Sequence, residues 1–185
     1  FAAEVPGITY DKLQPKITDT ARKLWELYLL LTIICAILLY FSGMNIFDAI
    51  CHSLTTLASG GYSTKNASIA YWASPTIHYI IIFFMIIAGT NFSLLYGAMI
   101  RRQWKRLIYD EEFKTYIYST LGISIVITIG LICTRTFDGF QSIEKAFRDA
   151  LFQIVATMTT TGFSTSDYMS WHPILWLVML LVIPM

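Results

Sequence analysis

Ile46-Phe-Asp-Ala-Ile-Cys-His-Ser-Leu-Thr-Thr-Leu-Ala58-Ser-Gly-Gly-Tyr-Ser-Thr64 is the stretch on which the reading of this chain turns. Residues 46–58 are apolar enough to enter a membrane. They make a helix of only about 20 Å, however, which is too short to cross a hydrocarbon core of roughly 30 Å. Glycine, serine and threonine then end it. Such a segment can dip into a bilayer and return, provided its irregular backbone is covered by protein or faces a water-filled path.

Longer apolar runs flank it. Trp25 to Ser42 is one, preceded by Lys12, Lys16, Arg22 and Lys23. Pro75 to Ile100 is the next, closed by Arg101, Arg102, Lys105 and Arg106. Tyr116 to Cys133 follows the charged stretch Asp110–Lys114, and a fourth run opens near Pro173. Of the 185 residues 56% are hydrophobic and 14% charged, against about a quarter charged in a soluble domain. The fold class expected is therefore an all-α membrane protein. Residues 1–23 are polar and lack the apolar core of a signal peptide. The last run, 174–185, is too short to span, so the chain is expected to start and end inside a longer protein.

Charge placement tests the re-entrant reading. If residues 1–24 and 101–114 share a side, that side holds Lys12, Lys16, Arg22, Lys23, Arg101, Arg102, Lys105, Arg106 and Lys114, leaving Lys65, Arg135, Lys145 and Arg148 opposite. The positive-inside rule puts the first set in the cytoplasm, with both short segments entering from outside. Had each short segment spanned, the two basic clusters would fall on opposite faces.

A repeat supports the same reading. Laying Gly61 on Gly162 aligns Asp48-Ala49 with Asp149-Ala150, Thr56 with Thr157, and Gly61-Tyr62-Ser63-Thr64 with Gly162-Phe163-Ser164-Thr165. One membrane unit has been duplicated, as transport proteins often do. The expected organisation is a lead-in segment (1–24), a helix–pore-loop–helix unit (25–100), a basic linker (101–115) and a second such unit (116–185).

The two loops suit a monovalent cation. An ion leaving water needs oxygens in place of its hydration shell, and backbone carbonyls supply them without a fixed charge that would hold it too tightly. The candidate stretches are residues 57–64, Leu-Ala-Ser-Gly-Gly-Tyr-Ser-Thr, and residues 158–165, Met-Thr-Thr-Thr-Gly-Phe-Ser-Thr. Each preceding short helix aims its carbonyl end at the loop. Asn45 with Asp48, and Ser142 with Glu144, are expected at the opposite helix ends as caps and first-turn acids.

The remaining polar residues read as structural. Cys35, Cys51 and Cys133 lack metal-ligand spacing and are expected to be small buried residues. His52, His78 and His172 are expected in packing or interface roles. Gly89-Thr90-Asn91 is expected to serve close helix packing, and Trp25, Trp72, Trp104 and Trp171 to anchor at the membrane interface.

Ala58–Ser68, Ala88–Leu94 and Thr159–Thr165 resemble the Trk/Ktr/HKT family of potassium transporters, in its TrkH/TrkG branch, and Glu4-Val-Pro-Gly7 resembles the lead-in to that family's second pore unit. The resemblance implies a potassium-channel-like pore of four helix–loop–helix units, of which this chain holds the second and most of the third. It places Gly61 and Gly162 on the filter glycines, with Ala58, Ser59, Gly60 and Tyr62 as the other filter positions of one loop and Thr159, Thr160, Thr161 and Phe163 as those of the other. It further implies potassium uptake, no catalysis and no cofactor, a bacterial inner-membrane location, a homodimer, and a cytoplasmic nucleotide-binding regulatory subunit like TrkA; nucleic acid is not an expected partner.

Sodium permeation is the alternative within transport, because the loops lack the longer Thr-Val-Gly-Tyr-Gly signature. An intramembrane serine hydrolase is an alternative from another class, since Ser63, Ser164 and histidines share the membrane. Against it, neither loop carries Gly-x-Ser-x-Gly. A purely structural subunit leaves the duplicated polar loops unexplained.

Overall fold

The computed structural model describes residues 10–99, 104–134 and 140–182, and all its regular structure there is helical. Eight α-helices follow one another: α1 (Tyr10–Phe41), α2 (Ile46–Leu57), α3 (Pro75–Ala88), α4 (Phe92–Met99), α5 (Trp104–Tyr109), α6 (Glu111–Cys133), α7 (Phe140–Met158) and α8 (Pro173–Val182). Arg101, Arg102 and Arg135 lie outside the described residues.

Two stretches, Ala21–Phe41 of α1 and Glu111–Cys133 of α6, are long and apolar enough to cross a membrane, with only 28% of each buried. The core helix of a soluble protein hides most of its surface. Here Ile33, Ile37 and Phe41 on α1, and Ile125, Val126 and Ile129 on α6, face outward. Hydroxyls inside α6 are paired within the helix: Thr120, Ser124 and Thr128 each donate to the carbonyl four residues back at 2.7 Å. That pairing removes the penalty of an orphaned donor in hydrocarbon.

α1 and α3 flank the short α2. Leu27, Leu31, Cys35 and Leu39, one turn apart, form the buried stripe of α1, and Ile77, Ile81, Phe84 and Met85 that of α3. Asn45 caps α2, its side chain accepting from the Ile46 N–H at 3.1 Å. Asp48 lies in the first turn, where the helix dipole favours an acid. α6, α7 and α8 repeat the arrangement around Ile127, Leu131, Ala150, Ile154, Trp171 and Leu175. Phe152, Val155, Ala156 and Phe163 of the second half join the core of the first, so the halves share one interior.

Several expectations are corrected. α1 continues in front of Trp25 as far as Tyr10. α7 begins at Phe140, which puts Ser142 inside the helix, where it cannot be the cap. Cys133, at the end of α6, is exposed. Trp171 is 3% exposed, filling the core between α6 and α8 rather than anchoring at an interface. The run from Pro75 divides at Gly89: the Gly89 N–H ends α3 on the Met85 carbonyl, and the Asn91 carbonyl accepts the Leu94 and Leu95 N–H groups that open α4.

Candidate functional site

The loops after α2 and α7 have the same backbone at the same repeat positions. Ser59 (φ 51°) and Gly61 (φ 65°) are left-handed in the first, and Thr160 (φ 56°) and Gly162 (φ 79°) in the second. A left-handed threonine is costly because its β-branch crowds the backbone. Strain of this kind persists only where surrounding structure over-determines it, and it gathers at functional sites.

The loops touch. A β-carbon built on Gly61 falls onto the Thr161 carbonyl oxygen, whereas one built on Gly162 meets nothing within 4 Å. A backbone carbonyl of the second loop is thus seated against the first loop's glycine, and only a residue without a side chain permits that approach.

Both loops are held by a carboxylate and a threonine sixteen residues apart. Thr64 donates to Asp48 Oδ1 at 2.6 Å, and Thr165 donates to Asp149 Oδ1 at 3.0 Å. Asp48 and Asp149 are 7% and 1% exposed. Burial removes competing water and makes each bond count for more than it does at a surface. In the first unit Lys65 Nζ lies 3.4 Å from Asp48 Oδ2 and over the Tyr71 ring.

His52 braces the first loop from within. Its Nδ1 is 2.6 Å from the Asp48 carbonyl oxygen, so Nδ1 carries the proton, and Nε2 accepts from the Ser63 hydroxyl at 2.9 Å. A serine–histidine pair is the opening requirement of hydrolase chemistry. Here the ring is fully buried between Trp72 and Phe163, which leaves a substrate no approach. Thr55 adds a bond to the Tyr62 carbonyl at 3.0 Å, and Thr159 and Thr161 share one at 2.7 Å in the second loop.

The halves meet at this level of the fold. Phe163 is fully buried and its ring centroid lies 5.9 Å from that of His52. The Ala70 N–H donates to the Ser164 carbonyl at 3.1 Å, and Tyr79 donates to Glu144 at 3.0 Å. Glu144 also accepts from Arg148 at 3.1 Å. It therefore joins the halves, and with α7 starting at Phe140 it lies beyond the first turn where it was expected. Beneath the second loop, Gly89 packs so closely that an added β-carbon would lie 2.7 Å from Thr159 Cγ2 and 2.8 Å from the Tyr116 hydroxyl. All ten candidate positions therefore lie on two loops in mutual contact. Of the braces behind them, the two aspartate–threonine pairs were signalled in sequence by the repeat of Asp48 and Thr64 as Asp149 and Thr165, and the contact of His52 with Ser63 was not signalled.

Residues 8–184 match the model of a family described as TrkH, cation transport protein. The Trk system potassium uptake protein TrkH of Salmonella typhimurium is 41% identical over 176 residues, covering 92% of this chain and 35% of that protein. The Escherichia coli protein TrkG is 34% identical, covering 97% of this chain and 37% of that protein. A crystal structure of the potassium transporter TrkH from Vibrio parahaemolyticus superposes with a TM-score of 0.85 at 36% identity, over 91% of this chain and 36% of that one. The chain spans about a third of the length of the relatives it matches, and with a match running almost end to end it belongs to the TrkH family of cation transport proteins.

Proposed function

We propose that this chain supplies two helix–pore-loop–helix units, residues 25–100 and 116–185, to a four-unit protein that takes up potassium across the bacterial inner membrane. Residues 1–24 and 101–115 are its cytoplasmic lead-in and linker, and both loops enter from outside. Ala58 to Tyr62 and Thr159 to Phe163 form half of the selectivity filter, their backbone carbonyls replacing water around the ion. The observation that carries this reading is the contact of the Thr161 carbonyl with Gly61, between two loops of matching left-handed residues. The membrane potential drives entry with roughly 2.3 kcal/mol per charge at 100 mV.

Further units on both flanks are supported by what each loop aromatic does. Phe163 is buried against the preceding unit, while its counterpart Tyr62 is 79% exposed. On the far side, an open cavity of about 490 Å³ lies against Thr160, Gly162, Tyr168 and Trp176. A preceding and a following unit account for both. Cytoplasmic regulation by a TrkA-like nucleotide-binding subunit and assembly as a homodimer, which the family resemblance implies, complete the proposal.

Potassium and sodium uptake by the intact protein in a potassium-transport-deficient cell tests the reading. Gly61→Ser and Gly162→Ser, at matched membrane abundance, are expected to weaken potassium affinity or selectivity. Unchanged uptake and selectivity sink the filter assignment.

A further inference from the structure

Three carbonyls compete for one hydrogen at the end of α2. The Thr55 hydroxyl lies 3.0 Å from the Tyr62 carbonyl oxygen, 3.1 Å from that of Cys51 and 3.3 Å from that of His52. A hydroxyl has a single hydrogen to donate, so it serves mainly one of them at a time. The neighbouring threonine and its repeat counterpart are settled: Thr56 donates to the His52 carbonyl at 2.6 Å and Thr157 to the Gln153 carbonyl at 2.7 Å, each within its own helix. Thr55 differs because the shortest of its contacts leaves the helix for a carbonyl of the loop.

The main chain brings that carbonyl there. The Gly60 N–H donates to the Thr55 carbonyl at 2.8 Å, which folds the loop back over the last turn of α2. This bond joins backbone atoms, so it remains when the Thr55 side chain is changed. The hydroxyl adds something else. A carbonyl that accepts an O–H is aimed at its donor and has part of its negative charge compensated, which makes it a weaker ligand for a cation. Turning the hydrogen to Cys51, at nearly the same distance, releases the Tyr62 carbonyl while the hydroxyl stays bonded. In the second loop Ala156 stands where the repeat places Thr55, and its methyl offers Phe163 no hydrogen.

We propose that Thr55 is a positioning residue that sets how strongly the Tyr62 carbonyl, the outer end of the first loop's candidate stretch, binds the ion. Its hydroxyl makes this carbonyl a weaker and adjustable ligand, unlike the Phe163 carbonyl of the second loop. Conduction needs such restraint, because an ion held too well does not leave. The proposal rests on the reading of the two loops as a filter.

Potassium uptake by the intact protein at matched membrane abundance, together with thallium(I) anomalous peaks in its crystals, tests it. Thr55→Val keeps the shape of the side chain and removes the hydroxyl. Its KM for potassium is expected to fall roughly two- to tenfold, the worth of one neutral hydrogen bond, with a stronger thallium peak at the Tyr62 carbonyl. Thr55→Ser restores the hydroxyl and is expected to bring both back toward wild type. A role confined to bracing the loop predicts a KM that rises, or a maximal rate that drops at constant KM, after Thr55→Val. Either result overturns the proposal and leaves the filter standing, as do an unchanged KM beside loop peaks of unchanged strength and a Thr55→Ser protein that behaves like Thr55→Val. Crystals without an ion peak at either loop overturn the filter reading and this proposal with it.

Discussion

The carbonyl oxygen of Thr161 lies where the side chain of any residue replacing Gly61 would begin. Both loop glycines are left-handed, at φ 65° and 79°, yet only Gly61 is also pressed by a neighbour. An alanine at 162 bears the conformational cost alone, about 1–2 kcal/mol. An alanine at 61 must also push the facing backbone away. Gly61→Ala is therefore expected to abolish selective potassium uptake, and Gly162→Ala to retain part of it, with both proteins assayed at equal membrane abundance. Equal tolerance removes the inter-loop contact from the account.

The aspartate–threonine pairs differ in what remains when the threonine is lost. After Thr64→Val, Asp48 keeps Lys65 at 3.4 Å; after Thr165→Val, Asp149 loses the side-chain hydrogen bond on Oδ1 while Oδ2 already has none among the described residues. Thr64→Val is expected to cost about 1 kcal/mol, and Thr165→Val about 2–3 kcal/mol because a buried carboxylate is stranded. Thermal unfolding midpoints of the two purified variants read the order, and a reversal contradicts the assignment.

Gly89 gives Thr159 its place. Gly89→Ala sets a methyl 2.7 Å from Thr159 Cγ2 and 2.8 Å from the Tyr116 hydroxyl. It is expected to impair uptake although Gly89 lies off the loops. Thr159→Ser removes the colliding methyl and Tyr116→Phe the colliding hydroxyl, so the triple variant is expected to recover activity that Gly89→Ala alone loses. Strict additivity of the three effects excludes the contact.

Phe163→Ala empties a fully buried site between the halves and is expected to cost about 3–5 kcal/mol. Tyr62 is its exposed counterpart in this chain. On the proposal that a preceding unit covers Tyr62 in the intact protein, Tyr62→Ala is expected to lower the unfolding midpoint about as far as Phe163→Ala does. A neutral Tyr62→Ala leaves that flank open.

Much of this was legible in the sequence, because membrane proteins confine polar and flexible residues to places that need them. The run 46–57 is too short to span and is followed by Gly60-Gly61, and the resulting helix and loop sit where that pattern put them. The repeat of Asp48 and Thr64 as Asp149 and Thr165 was equally visible. Its meaning was not: Asp48 read as a first-turn acid, since sequence spacing does not say that a chain sixteen residues on folds back to meet it. The His52 contact with Ser63 was hidden for the same reason. Hydropathy alone also ran α3 and α4 together, because Gly89, Thr90 and Asn91 are too few to interrupt an averaged apolar run. Trp171 shows the limit of rules about residue type, which place tryptophan at interfaces while packing against α6 decides the matter.

The contact of Phe163 with His52 is head-to-tail: the ring that follows one unit's glycine enters a seat on its predecessor, so the two partners use different surfaces. Heterologous contacts of this kind close into rings rather than pairs when the rotation allows it. A ring of separate identical copies must keep every seat the same. Joined in one chain, each seat is free to drift, and this one already has: the first unit presents histidine at position 52 where the second presents glutamine at 153. Within one chain the two units thus present unlike seats, each open to separate tuning by selection.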